Sequence, residues 1–105
     1  MKINRMMDIS AIETQLIGSW KNKYGDTIWQ FKRDRDNAAC TLLVIHQNAA
    51  KIYAFELLYS PVHKKPVLRT QEHGDFVVFK VDDKSLWLIY NQMAYIFEKT
   101  VVWSF

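Results

Sequence analysis

The sequence predicts an all-β fold: a small antiparallel up-and-down β-barrel of about eight strands with one short N-terminal helix. From Ser19 onward, short runs rich in Val, Ile, Thr and aromatic residues alternate with polar turn clusters. Before that point, apolar residues recur at the spacing of three and four that is typical of a helix. Most turn clusters are short enough for hairpins. A meander of hairpins avoids exposed edges either by closing into a barrel, which we predict here, or by folding into two layers.

The N-terminal segment predicts a helix over Ser10–Ile17. Ile9, Ile12 and Leu16 form one apolar stripe at helical spacing. The first predicted residue is a serine followed three positions later by a glutamate, which is the pattern of a capping box, and Asp8 is an alternative cap. Gly18 then supplies a C-terminal stop.

The rest of the chain divides into runs that predict strands, separated by clusters of Gly, Asn, Asp and Pro. The one longer loop is expected at 60–66, because that stretch contains both prolines of the chain. The predicted strands are Ser19–Lys23, Thr27–Arg33, Ala39–His46, Lys51–Tyr59, Val67–Gln71, Phe76–Val81, Ser85–Tyr90 and Met93–Lys99.

The length and composition fit one globular domain. The chain has 105 residues, of which 50% are hydrophobic and 24% charged. Its four Trp, five Tyr and six Phe residues can each bury a large area, so even a short chain can build a core. Since no linker, repeat or low-complexity tract interrupts the sequence, we predict a single domain over 1–105.

The charge pattern and the cysteine content limit the kinds of partner and the cellular compartment that we expect. The net charge is +3, and the Lys and Arg residues are scattered in ones and twos. A nucleic-acid binder concentrates basic residues on one face, so we do not expect a nucleic-acid partner. No apolar run reaches the roughly 20 residues of a membrane helix or follows the N-terminus as a signal peptide would. With Cys40 as its single cysteine, the chain is expected to be cytoplasmic and not associated with a membrane.

Side chains alternate along a strand, so each predicted strand can be divided into an inward and an outward face. The inward faces carry many aromatic residues, which either fill the core of the barrel or line a ligand pocket. Both interpretations are open at this point. The residues predicted to line a pocket are Trp29, Phe31, Tyr53, Phe55, Phe79 and Tyr95.

The outward faces of three C-terminal strands are predicted to be apolar as well. Monomers rarely expose a large apolar patch, so something should cover this one. The N-terminal helix, the tail Val101–Phe105, a protein partner or a second copy in a homodimer could do so. The residues predicted to form this interface are Phe76, Val78, Trp87, Ile89 and Ile96.

Three segments carry a family resemblance. At Leu16–Lys21 a helix runs into a strand with the pattern Gly-x-Trp, Thr27–Lys32 is an apolar-aromatic second strand, and Tyr95–Lys99 matches a closing strand. In these features the chain resembles the calycin group, specifically small bacterial lipocalin-like domains. The resemblance implies a ligand-binding barrel whose first tryptophan, here Trp20, closes one end.

The chain departs from the pattern of larger lipocalins near its end. Those proteins pack an arginine from near the chain end over the conserved tryptophan. Here no arginine follows Arg69, so Lys99 is the residue that could stand in for it. The turn after the sixth predicted strand also differs from the family's Thr-Asp-Tyr-like turn.

The sequence contains no recognisable catalytic constellation. Its three glycines lie far apart, so no phosphate-binding loop is present, and His46, His63 and His73 are not at metal-ligand spacing. We therefore expect no enzymatic activity, no metal and no cofactor. Two functions are predicted: a binding protein that holds a small apolar or aromatic ligand, or a small intracellular inhibitor or immunity protein, bacterial or phage, that binds a protein through its apolar surface.

Overall fold

The computed structural model describes residues 5–34 and 40–101. Within them, one helix precedes eight strands that form a closed barrel in the order of the sequence. All neighbouring strands are antiparallel, and the last strand pairs with the first. The predicted fold class is therefore confirmed. The elements are α1 (Arg5–Leu16), β1 (Gly18–Asn22), β2 (Ile28–Arg33), β3 (Cys40–His46), β4 (Ala49–Ser60), β5 (Lys65–Thr70), β6 (Gly74–Val81), β7 (Ser85–Tyr90) and β8 (Met93–Thr100).

The helix is longer than the prediction. It begins at Arg5, so Ser10 lies inside it, and the predicted capping box at Ser10 is wrong. The Ser10 carbonyl accepts a hydrogen bond from Thr14 Oγ1 at 3.0 Å. The arginine and methionines that precede Ser10 have good helix propensity, which explains the longer helix. Among the described residues, no helix is long and apolar enough to cross a lipid bilayer.

Antiparallel pairing places the turns alternately at the two ends of the barrel. The helix lies at the end that holds the β2–β3, β4–β5 and β6–β7 connections. There Glu13 of α1 forms an ion pair with Arg33, the last residue of β2, and lies 3.8 Å from the Cys40 thiol at the start of β3. We refer to this end as the closed end, and to the opposite end as the mouth.

Trp20 closes the barrel beneath the helix, as the family resemblance implies. Its side chain is completely buried, and its indole N–H donates a hydrogen bond to the Leu16 carbonyl at 2.9 Å. Lys99 lies over it, with the ammonium nitrogen 4.5 Å from the centre of the indole ring. The same ammonium donates a hydrogen bond to the Ile17 carbonyl at 3.2 Å. The lysine thus occupies the place expected for the lipocalin arginine.

The middle of the barrel is filled by side chains. Phe31, Leu42, Leu88 and Phe97 are each at most 1% exposed, so no water-sized space lies beside them. Their predicted inward orientation on β2, β7 and β8 is confirmed, and Tyr53 and Phe55 on β4 are buried as well. Close packing of this kind is the normal state of a small hydrophobic core.

The predicted faces of β6 are wrong. Phe76 and Val78, predicted to face outward, are buried at 5% and 3% exposure, whereas Phe79, predicted to face inward, is 48% exposed. The register of β6 against β7 shifts between Val78 and Lys80, which marks a β-bulge. Val81, beyond the bulge, again packs against the core. A bulge reverses the alternation, so a face assigned by strict alternation is wrong on one side of it.

Candidate binding site at the mouth of the barrel

Four aromatic side chains face inward near the mouth and are less completely enclosed than those in the middle. Tyr53 is 8% exposed, and Trp29, Tyr90 and Tyr95 are only partly buried while packing against the core. The strands place them there directly, because Trp29 lies near the start of β2, Tyr90 ends β7 and Tyr95 lies near the start of β8. The mouth is therefore lined by one tryptophan and three tyrosines.

The aromatic rings of the mouth continue into those of the core. Trp29 lies 4.9 Å from Phe97 and 5.4 Å from Phe76, measured between ring centres. Phe76 in turn stacks on Tyr90 at 4.4 Å, and Tyr95 lies 6.3 Å from Phe76. These distances are those of ordinary aromatic pairs. The rings form one cluster that reaches from the filled interior to solvent.

The rim of the mouth is polar. His73, in the β5–β6 turn, lies against the ring of Tyr53 at 5.0 Å. Across the rim, Thr27 Oγ1 and His46 Nδ1 form a hydrogen bond of 3.0 Å. Among the described residues, no hydrogen bond engages the hydroxyls of the three tyrosines at the mouth. These hydroxyls are available to water or to a ligand.

The residues predicted to line a pocket are divided among three places. Trp29, Tyr53 and Tyr95 come together at the mouth. Phe31 and Phe55 lie deeper, with ring centres 5.3 Å apart, and form part of the core. Phe79 lies on the outer wall because of the bulge. The prediction omitted two residues of the mouth. These are Tyr90 and His73. Tyr90 could have been predicted because it alternates with the inward-facing residues of β7, whereas nothing in the sequence places His73 against Tyr53.

The predicted apolar patch on the outer wall is present in altered form, and we refer to it as the outer face. Trp87 and Ile96 are cross-strand partners on β7 and β8, and both are partly buried. Ile89 lies on the same side of β7. Phe79 takes the place predicted for Phe76 and Val78, and its ring stacks on Trp87 at 6.2 Å with an angle of 13° between the planes. Residues 102–105 of the tail, one of the predicted covers, lie outside the described residues.

Reactive groups elsewhere are accounted for by ordinary contacts. Burial, and then the neighbouring Glu13 carboxylate, raise the pKa of the Cys40 thiol, which keeps it protonated and weakly nucleophilic at neutral pH. Glu56 is exposed on β4 opposite Arg69. Within the described part of the chain, no three His, Cys, Asp or Glu side chains are grouped so that they could hold a metal ion.

No family model, curated protein or solved structure matches this chain. The closed antiparallel barrel with one short N-terminal helix is consistent with a calycin-like fold.

Proposed function

We propose that this chain is a non-enzymatic binding protein of lipocalin-like type, which takes a small apolar or aromatic ligand at the mouth of its barrel. One observation carries the proposal: Trp29, Tyr90 and Tyr95 face inward yet retain contact with solvent, whereas Phe31 and Phe97 below them are 1% exposed. A partly exposed aromatic ring offers area for an apolar ligand.

The filled interior limits the size and position of the ligand. With Phe76 and Phe97 in the core, a ligand rests on the aromatic cluster and does not pass through the middle of the barrel. Ring-to-ring packing favours a flat or aromatic body. The hydroxyls of Tyr53, Tyr90 and Tyr95 supply hydrogen bonds for one polar group. A neutral compound of the size of indole has these properties.

The proposal is tested by titrating the protein with indole while its amide NMR spectrum is recorded. We expect shifts confined to the mouth, and binding weakened severalfold in Tyr95→Leu, because part of the aromatic contact and one hydroxyl are lost. Tyr59→Leu is the matched control, since Tyr59 is likewise partly buried but lies near the end of β4, at the closed end of the barrel. It should bind indole as the unmodified protein does.

Two results would contradict the proposal. The first is the absence of any shift at the mouth at millimolar indole. The second is equal weakening in Tyr59→Leu and Tyr95→Leu, which would mean that the compound does not bind specifically at the mouth.

The outer face supports a second function: binding of a protein partner, as by a small intracellular inhibitor or immunity protein. It is favoured by the apolar character of Trp87, Ile89, Ile96 and Phe79, the last of which is 48% exposed. Sedimentation velocity of the protein and of its Trp87→Ser variant tests whether a second copy is that partner. A concentration-dependent dimer that Trp87→Ser abolishes would support it, and a monomer at all concentrations would exclude self-association through this face.

A further inference from the structure

We infer that the outer wall holds a second ligand site, separate from the mouth, which binds a small planar aromatic anion. The site is a groove of about 500 Å³ between the start of β5 and the strands β6 and β7. This volume is within the range of small-molecule pockets, roughly 300–1,000 Å³. We refer to it as the lateral groove. Its lining consists of His63, Lys65, Asp75, Val77, Phe79, Ile89, Asn91 and Gln92.

The lateral groove opens where two strands separate. Lys65 and Pro66 pair with β4, but the pairing of β5 with β6 begins only at Val67 opposite Val77. Proline has no N–H to donate to a neighbouring strand, and the bulge at Phe79 turns β6 away from the regular register. Both features lie at the level of Lys65 and Phe79, and both of these side chains line the groove.

The floor of the lateral groove is apolar. Val77 and Ile89 are cross-strand partners on the outer side of the sheet. On the neighbouring strand β5, Val67 pairs with Val77 and is only 3% exposed, although it does not belong to the core cluster. Side chains on the outer wall therefore bury apolar surface even though they lie outside the barrel core. Phe79 adds a ring that is 48% exposed and is held in place by its stacking on Trp87.

The charge at the lateral groove is positive. Its one lining carboxylate, Asp75, is held by Arg69 through hydrogen bonds of 2.8 Å and 3.2 Å. This contact lowers the pKa of Asp75, so its charge is balanced at neutral pH. The Lys65 ammonium lies 4.9 Å from the centre of the Phe79 ring and has no carboxylate partner among the described residues. Lys65 is therefore the natural partner of an anionic ligand, with His63 beside it.

The far side of the lateral groove offers amide groups. Asn91 and Gln92 form the β7–β8 turn, with φ angles of 51° and 64°. Their polar side chains lie across the groove from Lys65 and can contact substituents on the ligand. A ligand with a flat ring packed on Val77, Phe79 and Ile89, and with a carboxylate or a similar anion at Lys65, matches both the apolar and the charged part of the lining.

The test uses 2-naphthoate as the probe, with binding followed by amide NMR shifts. We expect shifts on β6 and β7, and affinity reduced about three- to tenfold in Lys65→Gln, since the charge is lost while the stem of the side chain is kept. Lys32→Gln removes an exposed charge from β2, away from both the groove and the mouth, and is the matched control. Phe79→Leu should also weaken binding, and the cationic 2-naphthylmethylamine should bind less well than 2-naphthoate.

The mouth and the lateral groove are distinguished by their variants. Tyr95→Leu should leave the binding of 2-naphthoate to the groove unchanged, and Lys65→Gln should leave the binding of indole to the mouth unchanged. The inference is overturned if 2-naphthoate produces no shifts on β6 and β7. It is equally overturned if Lys32→Gln weakens binding as much as Lys65→Gln, or if the cationic compound binds as tightly as the anion.

Discussion

Trp20 and Trp29 are direct cross-strand partners on β1 and β2, yet their surroundings differ completely. Trp20 is fully buried, its indole N–H is bonded to a helix carbonyl, and Lys99 lies over its ring. Trp29 is partly exposed and contacts the rings of Phe31, Phe76 and Phe97. One tryptophan therefore closes the barrel, whereas its neighbour lines a surface that a ligand can reach.

The tilt of the strands explains how paired residues come to lie at different depths. The row of partners Lys99, Trp20, Trp29, Val44 and Lys51 crosses the strands from β8 to β4. In a closed barrel the strands are inclined to the axis, so such a row climbs from one end to the other. It begins at the closed end and finishes at the mouth. Depth in the barrel, and not residue type, decides which tryptophan is structural.

The largest expected effect is at Trp20. Trp20→Ala should lower the free energy of unfolding by about 3–5 kcal/mol, because it removes a fully buried ring and leaves the Leu16 carbonyl without its donor. Trp29→Ala should cost less, since part of that ring is already in contact with solvent. Urea denaturation of both variants measures the difference. An equal loss, or a larger one for Trp29→Ala, would show that the two ends are not distinct.

The next effect concerns Gly18, which has a φ angle of +134° and where an added Cβ atom would push the Lys99 ammonium out of its position. Gly18→Ala should destabilise the protein by about 1–3 kcal/mol. Gly74→Ala is the matched control, because Gly74 has a φ angle of +83° but open space around it. The double variant Gly18→Ala/Lys99→Ala should recover only the part of the lost free energy of unfolding that is due to crowding of the Lys99 side chain. Equal losses of free energy of unfolding in Gly18→Ala and Gly74→Ala would show that the contact with Lys99 does not contribute.

At the mouth, stability and binding should be separable. Tyr95→Leu is expected to change the free energy of unfolding by less than about 1 kcal/mol, since the side chain is partly exposed and its hydroxyl has no described partner. Leu88→Ala, at the residue paired with Tyr95, should cost about 2–5 kcal/mol because Leu88 is fully buried. Thermal and urea unfolding provide the comparison. A loss in Tyr95→Leu close to that in Leu88→Ala would assign Tyr95 to the core.

The smallest effect is a pH dependence at the closed end. Burial lowers the pKa of Lys99 below its ordinary value of 10.5, despite the carbonyl and ring beside it. Between the folded and unfolded pKa values the unfolded chain binds more protons, so the free energy of unfolding should rise with pH in that window. Lys99→Met should lack this contribution. The difference between the two proteins, followed by urea denaturation from neutral pH to about pH 10, should therefore move in favour of the native lysine as pH increases. The opposite trend would mean that the bonded ammonium outweighs its burial.

Much of the fold could be predicted because its signals are local. Alternating apolar residues and turn clusters predict each strand, and the pattern Gly18-x-Trp20 predicts where the helix meets the barrel. A meander protects its edges by closing into a barrel or by folding into two layers, so the strand pattern predicted closure only as one of two solutions. The inward position of Trp29, Tyr53 and Tyr95 could also be predicted, because alternation is a property of each strand alone.

The tertiary structure decided what depends on neighbouring strands. The bulge at Phe79 is a mismatch between β6 and β7, so it placed Phe79 on the outer wall, although strict alternation predicts an inward position. The separation of β5 from β6, which forms the lateral groove, likewise requires both strands. The depth of Trp20 and Trp29 depends on strand tilt. Side-chain alternation is local and therefore readable from one sequence, whereas register, tilt and spacing are relations between strands and exist only once the barrel has closed.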